Sequence, residues 1–254
     1  MPPQKTTSLI TGATAGIGHE YAVQLAARGD DLVLVARDSA RLEQVAEELR
    51  RTHQVAVEVL VADLNDREQL ATVEARLADR DRPIDLLVNN AGFGLKKRFL
   101  DNTADDETAM LEVLVTAVLR LSHAALGAMA ERGHGGIINV SSVAAFLPRG
   151  SYSAAKAWVN SFSEWAHLEY ASRGVEVMAL CPGFTKTEFH ERMQVTRGDG
   201  FMWLDVEFLV GTSLKDFEKG RVYSIPGAQY KAVRALTSVI PNRVLRLTQS
   251  MGRK

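Results

Sequence analysis

The chain has 254 residues, enough for one large α/β domain with a substantial core. Its 30 Lys and Arg residues nearly balance 31 Asp and Glu residues, and the formal net charge of −1 argues against a general nucleic-acid binder, which normally carries a basic excess. One cysteine excludes an intrachain disulfide, and because the polar start lacks a targeting core and no apolar run looks long enough to cross a bilayer, a cytoplasmic protein without membrane contact is expected.

Apolar runs and amphipathic stretches alternate along most of the chain. Continuous β-branched runs separated by helices predict a parallel sheet that is buried on both faces. Right-handed crossovers make the expected fold class a doubly wound α/β sheet, or Rossmann fold. In chain order, the predicted strands are Ser8–Ile10, Leu32–Val35, Val55–Val61, Asp85–Val88, Gly136–Val140 and Val175–Leu180, with Arg221–Ser224 as a candidate last strand. The predicted helices are Ile17–Arg28, Ser39–Arg51, Arg67–Leu77, Asp105–Glu131, Ser151–Ser172 and Tyr230–Gly252.

No linker divides the chain, so residues 1–254 are expected to form a single domain. Residues 184–220 mix aromatic, charged and glycine residues and are predicted to form a substrate lid or loop. Residues 228–254 are predicted to form a helical extension, and the charged residues of its Tyr230–Gly252 segment are all basic. That segment could contact anionic lipid, whereas a solvated helix or a subunit contact is the simpler interpretation.

A glycine-rich turn follows the first predicted strand. Gly12, Gly16 and Gly18 are spaced by four and then two residues. Glycine permits a tight turn and lets the backbone approach a phosphate where a side chain would collide, and the third glycine lets the next helix lie against the strand. The start of that helix then presents unpaired N–H groups to a pyrophosphate. The turn therefore predicts a dinucleotide site, with a ligand-free turn as the alternative.

Tyr152 and Lys156 are four residues apart in a predicted helix, so both side chains lie on one face. A nearby ammonium favours the phenolate and lowers the pKa of a phenol from its usual value of about 10. The pair could therefore transfer protons, although a surface pair on an amphipathic helix is the alternative. Just upstream, Ser141 and Ser142 end the fifth predicted strand, at the sheet edge where ligands bind in such folds.

Five motifs occur in an order typical of one protein family: the glycine turn, Asn89–Gly92, the two serines, the Tyr/Lys pair and the Pro-Gly at 182–183. From about Ser8 to Thr187, the chain resembles the short-chain dehydrogenases/reductases, and within them the cytosolic reductases that prefer NADP(H). The resemblance implies a nicotinamide-dependent oxidoreductase that acts on a small-molecule carbonyl or alcohol. It also implies a homodimer or homotetramer through the two long helices.

The resemblance further implies roles for individual residues. Tyr152 would protonate the carbonyl oxygen, Ser142 would donate a hydrogen bond to it, and Lys156 would bind the nicotinamide ribose and lower the pKa of the phenol. No histidine has a metal-ligand spacing, so no metal site is predicted. Besides Tyr152 and Lys156, the predicted cofactor-binding residues are Gly12, Thr14, Ala15, Gly16, Ile17, Gly18, Arg37, Asp63, Leu64, Asn90, Ala91, Gly92, Pro182, Gly183, Thr185 and Thr187.

Two features depart from the family pattern. Leu114 stands where the family usually has an asparagine that supports a proton relay through the lysine. The spacing from Ser142 to Tyr152 is three residues shorter than usual, which leaves Ser141 as an alternative serine. These departures support a second hypothesis, in which the chain is a weakly active or non-catalytic nicotinamide-binding sensor or scaffold.

The end of the second predicted strand bears on the choice of cofactor. NAD-using relatives carry an acid at the position of Ala36, and Arg37 follows it here. A guanidinium can bind the 2′-phosphate of NADP through two parallel hydrogen bonds, so NADP(H) is predicted. Two alternatives are an ion pair between Arg37 and Asp38, and an Arg37 that only lies on the surface.

Aromatic and methionine side chains occur in the segments predicted to surround the site. They suggest a bulky apolar ketone as substrate, with ordinary core or lid packing as the alternative. These residues are Phe93, Phe146, Phe184, Phe189, Met193, Phe201, Met202 and Trp203.

Overall fold

The computed structural model describes residues 5–187 and 200–239. Within these residues seven strands form one parallel sheet: β1 (Thr7–Thr11), β2 (Asp31–Ala36), β3 (Val57–Val61), β4 (Leu86–Asn89), β5 (Gly135–Val140), β6 (Val175–Leu180) and β7 (Tyr223–Ser224). Their order across the sheet is β3-β2-β1-β4-β5-β6-β7. The predicted doubly wound α/β fold is confirmed.

Helices connect the strands. In the described residues they are α1 (Gly16–Ala27), α2 (Ser39–His53), α3 (Arg67–Ala78), α4 (Ala104–Leu111), α5 (Ala117–Arg132), α6 (Ser151–Tyr170), α7 (Val206–Phe217) and α8 (Ala228–Val239). A π-helical turn at Glu112–Thr116 joins α4 to α5. Shorter 3-10 turns lie at Phe99–Asp101, Val143–Phe146 and Ala171–Arg173.

Several sequence-based expectations differ from the structure. The helix predicted at Asp105–Glu131 is interrupted by the π-helical turn. Helix α7 lies in the segment predicted as a lid and was not predicted, although Leu209, Val210 and Leu214 follow a helical period. The last strand is limited to β7. The predicted helix Tyr230–Gly252 begins earlier, at Ala228, and its residues beyond 239 lie outside the described part of the chain, as do residues 188–199 of the predicted lid.

The sheet is buried on both faces, which explains why its strands are continuously apolar. Leu9 and Ile10 are neighbours in β1, yet each is fully buried in a different apolar cluster. Val33 and Leu34 in β2 divide between the same two clusters. Alternate side chains of a strand point to opposite faces, so both faces pack against helices.

The strand order in the sheet changes direction between β1 and β4. From β1, the strands β2 and β3 extend to one side, while β4 to β7 extend to the other. The connections on the two sides of this point diverge and leave a crevice beyond the carboxyl ends of the strands. The glycine turn after β1 and the Asn90–Gly92 segment after β4 both open into it.

One helical stretch corrects the expectation about membrane-spanning segments. Ala104–Arg132, which includes α4, the π-helical turn and α5, is by length and composition apolar enough to cross a membrane. Its most apolar window is 56% buried within the fold. Helix α5 packs along α3, and Arg120 Nη2 donates to Glu74 Oε2 at 2.7 Å between them. Burial against the sheet and α3 therefore accounts for its apolar character.

Candidate active site

A cleft of about 680 Å³ lies at the carboxyl edge of the sheet. Segments after β1, β2, β3, β4, β5 and β6 line it, together with the start of α6. All the predicted site residues line this cleft except Gly18. The structure therefore brings together, from separate parts of the chain, the residues that the motifs singled out.

The glycine turn approaches the opposite wall of the cleft closely. Gly12 and Gly16 have φ angles of 67° and 55°, in the left-handed region that favours glycine. A Cβ at Gly12 would lie 2.9 Å from Asn90 Nδ2, and one at Gly16 would lie 3.1 Å from Thr187 Cβ. Helix α1 follows, and its N-cap residue Ala15 makes no side-chain capping hydrogen bond. The first N–H groups of the helix lie beside the cleft.

Gly18 has a packing role instead of a lining role. A Cβ there would lie 2.3 Å from Asn90 Nδ2 and 2.4 Å from the carbonyl oxygen of Gly12. The absence of a side chain lets α1 lie directly against the turn, which places Gly18 beneath the cleft surface. Gly18 is therefore not among the residues that line the cleft, while its predicted packing role agrees with the geometry.

Hydrogen bonds lock the ends of β1 and β4 together. Thr11 Oγ1 accepts the N–H groups of Asn90 and Ala91, both at 3.0 Å. The Asn90 side-chain amide donates to the carbonyl oxygens of Thr11 at 2.8 Å and Gly12 at 3.2 Å. The glycine turn is thus fixed by polar contacts as well as by sterics.

Ser142 faces Tyr152, and the two side chains are hydrogen-bonded. The two hydroxyl groups meet although the sequence spacing between their residues is three shorter than usual. Ser142 Oγ also accepts the N–H of Ala144 at 3.1 Å. The alternative serine, Ser141, is buried and donates to the carbonyl oxygen of Lys156 at 3.0 Å, so it ties α6 to β5.

The electrostatics of the pair differ from the sequence-based expectation. Burial raises the pKa of Tyr152 to about 12, although the hydrogen bond from Ser142 acts in the opposite direction. Burial lowers the pKa of Lys156 to about 8. Lys156 Nζ donates to the carbonyl oxygen of Val140 at 2.7 Å and lies 5.8 Å from the centre of the Tyr152 ring. The net shift of the phenol pKa is therefore upward, opposite to the lowering expected from the ammonium, because desolvation is its largest cause.

Leu114 lies in the π-helical turn and is fully buried. It packs with Met110 and Ala155, and Tyr152 and Phe93 contact the same small cluster. Its Cδ2 comes within 2.8 Å of the position that a Cβ on the cleft residue at 92 would take. An apolar group thus fills the place where relatives carry an amide, in a kind of turn that is frequent at functional sites.

Arg37 is exposed at the cleft and lies beside Asp63, with 3.7 Å between Nη1 and Oδ2. Asp38 instead caps α2 by accepting the N–H of Arg41 at 3.0 Å. Arg41 also lines the cleft and was missed in the sequence. The sequence does indicate this residue, because it lies four residues after Arg37 and in the first turn of a helix with an aspartate N-cap.

The aromatic residues predicted to surround the site divide into several groups. Among those described, only Phe93 lines the cleft, so the prediction that they all surround it is wrong. Phe146 and Met202 pack against the main core, Phe184 and Trp203 pair with ring centres 5.4 Å apart, and Phe201 is exposed. Phe189 and Met193 lie outside the described residues.

Tyr230 of α8 is a further residue that the sequence did not indicate. It is buried, and a Cβ at Gly183 would lie 1.9 Å from its Cζ atom. The Tyr230 hydroxyl accepts the N–H of Phe184 at 2.8 Å and donates to the carbonyl oxygen of Met202. A helix near the end of the described chain therefore fixes the backbone at the far end of the cleft.

Known proteins share this architecture. A family model described as short chain dehydrogenase matches residues 6–197. A short-chain dehydrogenase from Sphingobium yanoikuyae, solved in complex with NADPH, superposes with a TM-score of 0.85 at 37% identity, over 93% of this chain and 96% of that chain. The bulky-bulky ketone specific alcohol dehydrogenase from Comamonas testosteroni has a TM-score of 0.80 at 34% identity, over 93% and 95% of the two chains.

Curated relatives are similar over a shorter region. The very-long-chain 3-oxoacyl-CoA reductase of Anas platyrhynchos is 36% identical over 188 residues, which are 71% of this chain and 60% of that protein. The inactive hydroxysteroid dehydrogenase-like protein 1 of Homo sapiens is 32% identical over 185 residues, 71% and 56% of the two proteins. The chain thus spans less than two thirds of the length of these relatives.

Proposed function

The chain belongs to the short-chain dehydrogenase family, and on that premise we propose that it uses NADPH to reduce a bulky apolar ketone to an alcohol. The family consists of oxidoreductases that bind a nicotinamide cofactor and act on small molecules. The observation that carries the proposal is the hydrogen bond between Ser142 and Tyr152 inside the cleft, with Lys156 beside them.

The residues around the cleft fit a dinucleotide. No side chain has room at Gly12, and the exposed Gly92 opposite it leaves backbone groups facing the cleft. The turn and the start of α1 would hold the pyrophosphate. Asp63 and Leu64 would flank the adenine, and the backbone and hydroxyl groups from Gly183 to Thr187 would hold the nicotinamide end.

The side chains of this chain supply the proton chemistry. The chemistry that a bound reduced nicotinamide supplies is hydride donation to the carbonyl carbon. Ser142 donates a hydrogen bond to the carbonyl oxygen as negative charge develops there. Tyr152 donates its proton to the same oxygen, and its raised pKa keeps the phenol protonated at neutral pH. Lys156, fixed by Val140, holds the ammonium from which the phenol can be reprotonated.

Two guanidinium groups support NADPH over NADH. Arg37 and Arg41 both line the cleft where β2 ends, which is the region that distinguishes the two cofactors. Asp38 accepts the N–H of Arg41, and the acid beside Arg37 is Asp63, 3.7 Å away. The solved relative from Sphingobium yanoikuyae was obtained with NADPH.

Apolar lining supports a bulky substrate. Phe93, Val113 and Leu114 contribute apolar surface beside Tyr152. The name of the Comamonas testosteroni relative refers to ketones with two bulky substituents, and the Anas platyrhynchos relative is named for very long acyl chains. We therefore expect activity to rise with the size and apolarity of the ketone.

The direct test follows NADPH absorbance with a panel of ketones, from small polar ones to ketones with two aromatic or long alkyl substituents. The wild type should oxidise NADPH with the bulky members, and Tyr152→Phe should lose turnover by about 10²–10⁴-fold while it still binds NADPH. Turnover confined to small polar carbonyls would contradict the substrate class. Turnover retained in Tyr152→Phe would contradict the assignment of the acid.

A non-catalytic nicotinamide-binding protein is the second candidate. The specific observation in its favour is the buried Leu114 in place of the amide that relatives use. One relative at 32% identity is named as inactive. Tight NADPH binding without turnover across the whole panel would support this candidate.

We also propose that the chain forms a homodimer or homotetramer. Helix α6 exposes Trp165 and Leu168, whose exposed fractions are 51% and 73%, and α5 exposes Leu119. Exposed apolar patches of this kind are typical of interfaces. Sedimentation of the wild type and of Trp165→Asp should show an oligomer that the substitution weakens. The cytoplasmic location stays a prediction.

A further inference from the structure

Helix α4 carries a buried carboxylate that the proposed reaction does not use. Glu107 is 8% exposed, and both of its oxygens accept hydrogen bonds. Oε1 accepts from Asn102 Nδ2 at 2.8 Å, and Oε2 accepts from Ser151 Oγ at 2.5 Å. Ser151 is the first residue of α6 and immediately precedes Tyr152. Glu107 therefore connects one helix to the start of the helix that carries the proposed acid.

Helix α6 begins without a cap of its own. Its N-cap residue is Gly150, with a φ of 105°, and its first turn has no capping hydrogen bond from a side chain and no acidic residue. Helix starts are stabilised by side-chain acceptors and by negative charge. Glu107 places a negative charge at this start from a neighbouring helix, so it replaces a local cap.

Helix α4 does not need Glu107 for its own start. Thr103 and Asp106 form a complete capping box there: Thr103 Oγ1 accepts the N–H of Asp106 at 3.1 Å, and Asp106 Oδ2 accepts the N–H of Thr103 at 3.1 Å. Glu107 also does not belong to the cleft lining. Neither helix capping of α4 nor contact with a substrate accounts for this buried carboxylate.

We propose that Glu107 is a positioning residue, which fixes the start of α6 through Ser151 and thereby directs the Tyr152 phenol at Ser142. The inference rests on the proposed function, because the phenol matters only if it transfers a proton. The loop before α6 ends at Gly150, whose φ of 105° is open to glycine and whose lack of a side chain gives the start of the helix no support. A small displacement of the phenol is costly, because catalysis depends on near-attack geometry.

The test uses the variants Ser151→Ala and Glu107→Gln and the double variant that combines these two substitutions. The control is Thr103→Ala, which removes only the cap of α4. Ser151→Ala and Glu107→Gln should lower kcat for ketone reduction, Ser151→Ala by about tenfold, with the dissociation constant for NADPH unchanged. Glu107→Gln should lose less, because an acceptor oxygen remains, and the double variant should resemble Ser151→Ala. Thr103→Ala should lower Tm and keep kcat.

Amide hydrogen exchange tests the same claim without turnover. The N–H of Ala154, which donates to the carbonyl oxygen of Gly150 at 3.1 Å, and those of Ala155 and Lys156 should exchange faster in Ser151→Ala than in Thr103→Ala. Wild-type protein that reduces no ketone would refute the proposed function while this exchange still reports on the start of α6. Unchanged exchange, or faster exchange with unchanged kcat, would overturn the positioning role.

Discussion

The two ends of the cleft are built by different kinds of contact. At the glycine-turn end (residues 11–18 and 90–92), backbone atoms and one amide approach so closely that side chains are excluded. At the Gly183 end (residues 182–187), the backbone is held by distant elements: Tyr230 contacts Gly183, and Thr185 forms an isolated bridge with Leu204. The first end depends on sterics between neighbouring strands, and the second depends on side chains that come late in the chain.

The largest expected effect is the loss of stability on adding a methyl group at Gly18, and it distinguishes the two ends of the cleft. At Gly18 an added methyl group meets the carbonyl oxygen of Gly12, which cannot move without moving the turn, so Gly18→Ala should lower the free energy of unfolding by about 1–3 kcal/mol and weaken NADPH binding. At Gly183 the obstacle is the ring of Tyr230.

A second-site rescue experiment sharpens this comparison. Gly183→Ala combined with Tyr230→Leu should regain part of the stability that Gly183→Ala loses, as measured by denaturant unfolding. No side-chain replacement should relieve the backbone clash in Gly18→Ala, and Asn90→Ala is the matched control for it. Equal rescue at both ends would show that the glycine-turn end is as adaptable as the other.

The pH dependence of reduction probes Lys156 and Tyr152, which line the cleft but belong to neither of its two ends. Lys156, with its pKa lowered to about 8, loses its proton as the pH rises through that value, while Tyr152 stays protonated up to about 12. The rate of reduction at saturating substrate should therefore fall as the pH rises above about 8, by up to tenfold per unit. A rate that stays constant to pH 10 would show that the charge of Lys156 is not required.

Cofactor preference tests the exposed rim of the cleft after β2, which lies next to the glycine-turn end. Arg37→Ala should raise the dissociation constant for NADPH by roughly tenfold and leave that for NADH nearly unchanged, because only the 2′-phosphate loses a charged partner. Fluorescence titration with both cofactors measures this, and Arg28→Ala, a distant arginine paired with Glu218, is the matched control. Tighter binding of NADH by the wild type would reverse the preference.

The smallest expected effect concerns the hydroxyl of Tyr230. Tyr230→Phe keeps the ring against Gly183 but removes the acceptor for the N–H of Phe184 and the donor to Met202. The free energy of unfolding should fall by about 1–2 kcal/mol. NADPH should bind a few times more weakly, since the segment that would hold the nicotinamide loses a fixed point. Unaltered affinity would limit Tyr230 to a role in stability.

The sequence predicts the glycine-turn end far better than the Gly183 end. The spacing of Gly12, Gly16 and Gly18 reports local steric requirements, and the doubly wound arrangement of the sheet follows from general rules of chain connection. Tyr230 looks like an ordinary helical aromatic, because the importance of its hydroxyl arises only when α8 meets residues 183–184 and 202.

The residues of the proposed reaction are likewise only partly predictable from the sequence. The positions of Tyr152 and Lys156 on one face follow from helical periodicity. The direction of the pKa shift of Tyr152 does not, because it depends on how much solvent the fold removes. Leu114 is identified by its position in the pattern, but the π-helical turn that holds it was not predicted from the sequence.

The position of β1 in the middle of the sheet constrains how the chain can be shortened. β1 pairs with β2 on one side and with β4 on the other, and β4 begins only at Leu86. A fragment or nascent chain that ends before β4 exposes an apolar strand edge, which invites self-association. A minimal cofactor-binding module therefore cannot be cut from the amino-terminal residues alone.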